Sequence, residues 1–188
     1  MPEPTHRRNP ATSGTSDVDL VGRAQKGDRG AFAELYTRHA PAVARLAAAR
    51  AACSDVDDAV AETFVRAWKS IAKYSDTGRP FVAWLYGIGR NVIADGHRKA
   101  GKMKTQGGIE SMDLGRADAR VERTADLIDL GRALRSLNNR HRTVIELKYL
   151  GGLNNDEVGA TLGIQPGAVN TLQWRALRKL QTIMEVGS

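Results

Sequence analysis

The chain has 188 residues and carries 28 Lys+Arg against 21 Asp+Glu, a formal net charge of +7. That length fits one domain or two small ones, and the basic balance favours a polyanionic partner such as nucleic acid, or an anionic membrane surface. The single cysteine, Cys53, excludes a disulfide within the chain and a multi-cysteine zinc site, and without an apolar run of about 18 residues no membrane insertion is expected.

The opening stretch "MPEPTHRRNPATSGTSD" is polar, holds three prolines and lacks the apolar centre of a signal peptide. Residues 1–16 therefore read as a disordered tail on a cytoplasmic chain. Nearly every later segment has helical periodicity, which predicts an all-α fold. The first helix begins after Ser16 or Asp17, with Leu20, Val21 and Ala24 on its apolar side. "GDRGAFAELYTRHA" follows, anchored by Phe32, Leu35 and Tyr36, and then an alanine-rich helix from about Pro41 to Arg50. "SDVDDAVAETFVRAWKSI" is the clearest helix of this half, capped by Ser54 or Asp55. Val56, Val60, Phe64, Ala67 and Ile71 share one face, while Asp57, Asp58, Glu62, Arg66 and Lys69 lie away from it. After the loop "KYSDTGRP", Pro80 opens "FVAWLYGIGRNVIADGHRK". Phe81, Trp84, Leu85, Ile88 and Val92 form its apolar stripe, with Asn91, Asp95 and Arg98 beside it. Phe81 and Trp84 have two readings, base stacking and core packing, with the apolar spacing favouring the core. Phe64 and Trp68 are assigned to the core, and Tyr74 and Tyr86 fit either role.

From 101 to 125 glycines, mixed charges and weak periodicity predict a flexible linker between two small helical domains, 17–100 and 126–188. The second domain opens with the stripe Leu127, Leu130, Leu134 and Leu137. "NNR" interrupts it, and "HRTVIELKYLGGL" makes the next helix, ended by Gly151 and Gly152. Then "NNDEVGATLGIQPGAVNTLQW", from Asn154 to Trp174, has the pattern of a helix-turn-helix. Asn155 or Asp156 can cap the first helix, Gly159 permits a close crossing, Gly163 suits a positive φ, and Pro166 suits the first turn of the second helix. Val158, Leu162, Ile164, Val169 and Leu172 supply the shared core.

At about 100° per residue, Val169, Ala176 and Leu180 of the second helix point inward, flanked by Leu172, Leu177 and Ile183. Asn170, Thr171, Trp174, Arg175 and Arg178 point outward, a mixture suited to base edges and phosphates in a major groove. An ordinary three-helix unit with a solvated face is the alternative, and the turn pattern favours DNA reading. Gln173, toward the apolar side, is expected to hydrogen-bond at the edge of the core. His39, His97 and His141 lack metal-ligand spacing, and His6 is in the tail. No phosphate loop or catalytic triad is evident. The sequence thus predicts no cofactor, no metal and no enzyme.

These motifs together resemble a bacterial RNA polymerase sigma factor of the sigma-70 family, in the extracytoplasmic-function (group IV) subfamily, over about Asp17 to Met184. "DVDDAVAETFVRAWKSI" is similar to the family's core-polymerase-binding helix through Asp58, Ala59, Val60, Glu62, Thr63, Phe64, Arg66, Ala67 and Trp68, with Ala61 replacing a usual glutamine. "RPFVAWLYGIGRNVIADGHRK" is similar to the helix that opens and recognises the −10 element. "LNNRHRTVIELKYLGGLNNDEVGATLGIQPGAVNTLQWRALRKL" resembles the domain that binds the −35 element, in a subgroup reading T-L-Q-aromatic-R-A. The resemblance implies sigma region 2 over 17–100 and sigma region 4 over 126–188. It implies core-polymerase contacts from Asp57, Asp58, Val60, Glu62, Thr63 and Arg66. It implies −10 contacts from Lys73, Tyr74, Arg90, Asn91, Asp95, Arg98 and Lys99, with Lys102 and Lys104 attracting phosphates and the loop from Lys73 to Gly78 walling a base pocket. Contacts to the −35 element fall to Gln165, Gly167, Asn170, Thr171, Trp174, Arg175 and Arg178. The implied partners are core RNA polymerase, promoter DNA and an anti-sigma factor. For Trp174, the DNA backbone or a thymine methyl and packing on a neighbouring helix are both open. A free-standing helix-turn-helix regulator is the competing function.

Overall fold

The computed structural model describes residues 15–50, 56–105 and 131–186, and among them there is no strand. Helix α1 (Asp17–Gln25) is capped by Ser16, whose hydroxyl accepts from the Asp19 amide. Helix α2 (Arg29–Arg50) is capped by the Asp28 carboxylate, which accepts from the Ala31 amide. The two helices expected over this stretch are one. Pro41 removes one intrahelical bond and frees the Thr37 carbonyl, but both residues are exposed, so solvent can satisfy that carbonyl and the helix continues. Helix α3 (Val56–Ser70) runs into a 3₁₀ turn (Ile71–Lys73), and helix α4 (Phe81–Thr105) follows the loop 74–80. The caps expected at Ser54 and Asp55 lie outside the described residues.

Side chains recurring at helical spacing meet in the core of this half. Leu20, Leu35, Val43, Val60, Phe64, Ile71, Phe81 and Leu85 are all buried, each large one contributing about 1.5–3 kcal/mol. Gln25 of α1 donates to the carbonyls of Ile71 and Tyr74 at 3.1 and 2.7 Å, tying the start of the loop to the first helix.

Helix α4 continues to Thr105, so the first residues assigned to the linker, 101–105, are helical. The remainder, 106–130, lies outside the described residues, as do Leu127 and Leu130. The described part of α5 spans 131–136, followed by α6 (Asn139–Ile145), a π turn (Glu146–Leu150), α7 (Asn155–Leu162) and α8 (Pro166–Val186). Asn138 caps α6 by accepting from the His141 amide at 2.8 Å. "NNR" therefore starts a helix as well as interrupting one. In the π turn the Gly151 amide reaches the Glu146 carbonyl five residues back, at 2.9 Å.

The two halves share one core. Leu46, Val82, Tyr86 and Ile93 of the first pack in a cluster with Leu134, Leu137, Val144, Ile145, Val169 and Leu180 of the second. Arg50 donates to both oxygens of Glu146 across this contact, at 2.6 and 3.0 Å, and Glu146 is fully buried. Arg45 donates to the Leu150 carbonyl at 3.0 Å, and Arg90 to the Thr143 hydroxyl at 3.0 Å.

Candidate nucleic-acid and polymerase interfaces

The helix-turn-helix is built from local rules. Asn154, one residue before the expected cap, closes a reciprocal capping box. Its side chain accepts from the Glu157 amide at 2.9 Å, and the Glu157 carboxylate accepts from the Asn154 amide at 2.8 Å. This leaves Asn155 free for another task, so the expected Asn155 or Asp156 cap is corrected by one or two positions. Gly163 ends α7 with φ +66°, and its amide donates back to the Gly159 carbonyl. A Cβ on Gly159 would lie 2.7 Å from the Ile164 carbonyl oxygen, which is why a glycine stands where the turn crosses the helix.

These positions make a stability prediction. Gly163→Ala forces an L-residue into the left-handed region and should lower stability by about 1–2 kcal/mol. Gly159→Val should cost more, because its clash is with backbone and not with a flexible side chain. Denaturant titrations of both variants check the order; a Gly163→Ala midpoint equal to the parent's contradicts it.

Val169, Ala176 and Leu180 of α8 are buried, whereas Gln165, Gly167, Asn170, Thr171, Trp174, Arg175 and Arg178 are exposed. The expected inner and outer faces therefore separate as projected, except that Leu177, expected to flank the inner face, is exposed. Trp174 is 59 % exposed, and the Arg178 guanidinium lies 5.0 Å above its ring. It packs on its own helix's arginine, and the neighbouring-helix reading is replaced by this cation–π pair. Gln173 is half-buried and donates to the hydroxyl of the exposed Tyr149 at 2.8 Å, so its hydrogen bond lies on the surface and not against the core.

Helix α3 presents Asp57, Asp58 and Glu62 to solvent, with Arg66 half-buried beside them. Val60 is buried and Thr63 is fully so, its hydroxyl donating to the Ala59 carbonyl at 2.6 Å. The two residues for which the resemblance implies polymerase contacts thus pack the domain, and Thr63 meets the inward side of Gly89. Arg66 bridges two expected sites. It pairs with Glu62 at 2.6 Å and with Asp95 of α4 at 2.8 Å, and Asp95 also receives Arg98. The hydrogen bond from Arg66 is the main cause that holds the Asp95 carboxyl below its ordinary value; burial opposes it, and the Arg98 and Arg66 charges add to the lowering. Arg66 is raised by its hydrogen bonds to Asp95 and Glu62.

Among the other −10 candidates, Lys73, Asn91, Arg98 and Lys99 are exposed and Tyr74 is half-buried. The side chains of Lys102 and Lys104 lie outside the described residues. Arg90 departs from expectation: it is half-buried between the domains and donates to Thr143. Burial, then the neighbouring Arg50 and Arg142 guanidiniums, pull it below its ordinary value, with Glu146 acting the other way.

Phe81 is 4 % exposed, which settles it as core, and Tyr86 is buried with its hydroxyl donating to the Ala42 carbonyl. Trp84 is half-buried in a cluster with Tyr74 and Phe81, at ring distances of 5.0 and 5.4 Å. Trp68, also half-buried, rests on Phe32 at 4.9 Å. Beside the loop, Tyr74, Asp76, Arg79 and Phe81 line a cleft of about 280 Å³ that Val21 and Gln25 of α1 close from the other side.

Three features escape the sequence reading: the buried Arg50–Glu146 pair, Lys148 and the side-chain role of Asn155. The consecutive asparagines at 154 and 155 hold a signal, since only one of them can be the cap. No comparable signal marks Lys148, which depends on the π turn.

Residues 35–103 match the family model described as Sigma-70 region 2, and residues 133–182 that described as Sigma-70, region 4. The chain is 34 % identical to the ECF RNA polymerase sigma factor BldN of Streptomyces coelicolor, over 95 % of this chain and 70 % of that one. A solved structure of CnrH in complex with the cytosolic domain of CnrY has a TM-score of 0.66 at 32 % identity, covering 92 % of this chain and 99 % of that one. The sigma factor RpoE in complex with the anti-sigma factor NepR, from Bartonella quintana, gives a TM-score of 0.55 at 25 % identity, over 84 % of this chain and 98 % of that one.

Proposed function

The chain belongs to the extracytoplasmic-function sigma factors of bacterial RNA polymerase, and from this we propose how its residues divide the work of directing promoter-specific transcription initiation. The observation that carries the proposal is one chain with a helix-turn-helix bearing an exposed polar face and an acidic helix bearing an exposed carboxylate face. A free-standing regulator needs the first and has no use for the second.

Asp57, Asp58 and Glu62 dock the factor on core polymerase, with Arg66 holding Glu62 in place. The outer face of α8 enters the major groove of the −35 element. Asn170 and Thr171 meet base edges, Arg175 and Arg178 meet phosphates, and Gln165 and Gly167 lie where the helix N-terminus approaches the backbone. The −10 element falls to the exposed Asn91, Arg98 and Lys99 of α4, Lys73, and the cleft beside Tyr74. Separating the strands without ATP requires compensation from binding the displaced strand. Unstacking a base costs a few kcal/mol, and a cleft with phosphate contacts can offset it. Arg90 can join these contacts only when the Thr143 bond and the domain contact around it open.

The factor acts in the cytoplasm, where the polymerase is, and supplies no catalytic group of its own. No helix among the described residues is long and apolar enough to cross a membrane. The RpoE complex with NepR supports an anti-sigma partner for this chain as well.

Arg175→Ala tests the −35 arm. As a phosphate contact it should weaken holoenzyme binding about equally across −35 sequences and reduce the salt slope of log K by about one. Unchanged affinity and slope in a salt titration contradict its role.

A further inference from the structure

Asn170 stands on the exposed face of α8, yet its amide is not free to turn. Lys148, half-buried in the π turn, donates its ammonium to Asn155 Oδ1. Asn155 Nδ2 in turn donates to Asn170 Oδ1 at 2.6 Å. This chain of bonds has only one sense. An ammonium has donors and no acceptor, so Asn155 must turn its carbonyl oxygen to Lys148 and its NH₂ toward Asn170. That NH₂ can only donate, so Asn170 must meet it with Oδ1 and leave its own NH₂ outward. The orientation of an exposed amide is thus decided two side chains away, by a lysine on another element.

We propose that Lys148 and Asn155 are positioning residues that present Asn170 to the promoter as a hydrogen-bond donor, and so set base preference at one position of the −35 element. The proposal rests on the reading that the outer face of α8 meets −35 DNA. An unconstrained asparagine in a major groove uses both ends of its amide and pairs with adenine. With Oδ1 engaged by Asn155, the group offered is NH₂, which matches guanine O6 and N7 or thymine O4. It is mismatched to the cytosine amino group, which is itself a donor. Guanine is therefore favoured over cytosine on the contacted strand.

Asn155→Asp should reverse this preference. A carboxylate retains Lys148 as partner but can only accept, so Asn170 must turn its NH₂ inward and expose Oδ1. The new carboxylate would stand on the first residue of α7, at the positive end of that helix's dipole, which favours folding of the variant. Lys148→Met removes the anchor and leaves both orientations of Asn155 open.

The test is transcription by holoenzyme, assembled from the full chain and core polymerase, on templates with a randomised −35 element, reading base frequencies in the transcripts. With the parent chain, guanine should exceed cytosine roughly tenfold at one position. Asn155→Asp should invert that ratio there and leave the other positions alone. Lys148→Met should bring it to within about twofold, and Asn170→Ala should erase it. If Asn170→Ala erases a preference that Asn155→Asp leaves intact, the relay is overturned while the −35 reading stands. Lower total transcription by Asn155→Asp without a change in base frequencies overturns it equally, since a purely structural or charge role gives that result. If Asn170→Ala changes no position, the contact itself is overturned and the relay with it.

Discussion

Glu146→Ala is expected to lower the free energy of unfolding by about 3–5 kcal/mol, as removal of one partner from a buried ion pair does. Glu146 is fully buried and Arg50 holds both its oxygens. Without the carboxylate, a guanidinium only 17 % exposed is left without its anion between the two domains. Much of the loss comes from that stranded charge and not from the net strength of the pair. The double variant Arg50→Met, Glu146→Leu should therefore recover most of it, because apolar side chains suit a buried site between two halves that share an apolar core. Denaturant unfolding of the parent, Glu146→Ala and the double variant measures this directly. A double variant as unstable as Glu146→Ala would contradict the account.

Asp58→Lys is expected to abolish binding to core polymerase while changing stability by less than about 1 kcal/mol. Asp58 is exposed in the first turn of α3. A lysine there opposes the helix dipole by about 0.3–1 kcal/mol and removes no packing. Thr63→Val is the companion measurement. Thr63 is buried, and losing its hydrogen bond to Ala59 should cost about 1 kcal/mol of stability and leave polymerase affinity unchanged. Affinity titrations with core enzyme, paired with thermal melts, separate the two effects. Unchanged affinity for Asp58→Lys contradicts the docking role, and lost affinity for a folded Thr63→Val contradicts the inward placement.

The contrast between these residues shows what a sequence of this kind carries. Helical periodicity separates the buried Phe64, Ala67 and Ile71 from the exposed Asp57, Asp58 and Glu62, because each depends on its angle around one helix. It also yields the two faces of α8 and the turn at Gly163, whose constraints are local. Motif matching groups Val60 and Thr63 with the docking residues although both lie on the inward side. A motif records which residues occur together and not which way each one points. Pro41 reads as a boundary because a proline usually interrupts a helix, and the exposure that lets α2 run through it depends on the tertiary arrangement. Arg50 and Glu146 are far apart in sequence and belong to different domains, so nothing local could pair them. Lys148 reaches Asn155 from a π turn that intrahelical spacing does not foretell. The same limit groups Arg90 with the DNA-facing residues, whereas the domain contact draws it toward Thr143.

The central claim is that this chain confers promoter choice on RNA polymerase through two arms. Run-off transcription with purified core enzyme on a promoter library tests it most directly. Transcripts should start only when the chain is added, from templates sharing both a −35 and a −10 element, and disruption of either element should reduce them. Absence of initiation dependent on this chain from every template would contradict the account.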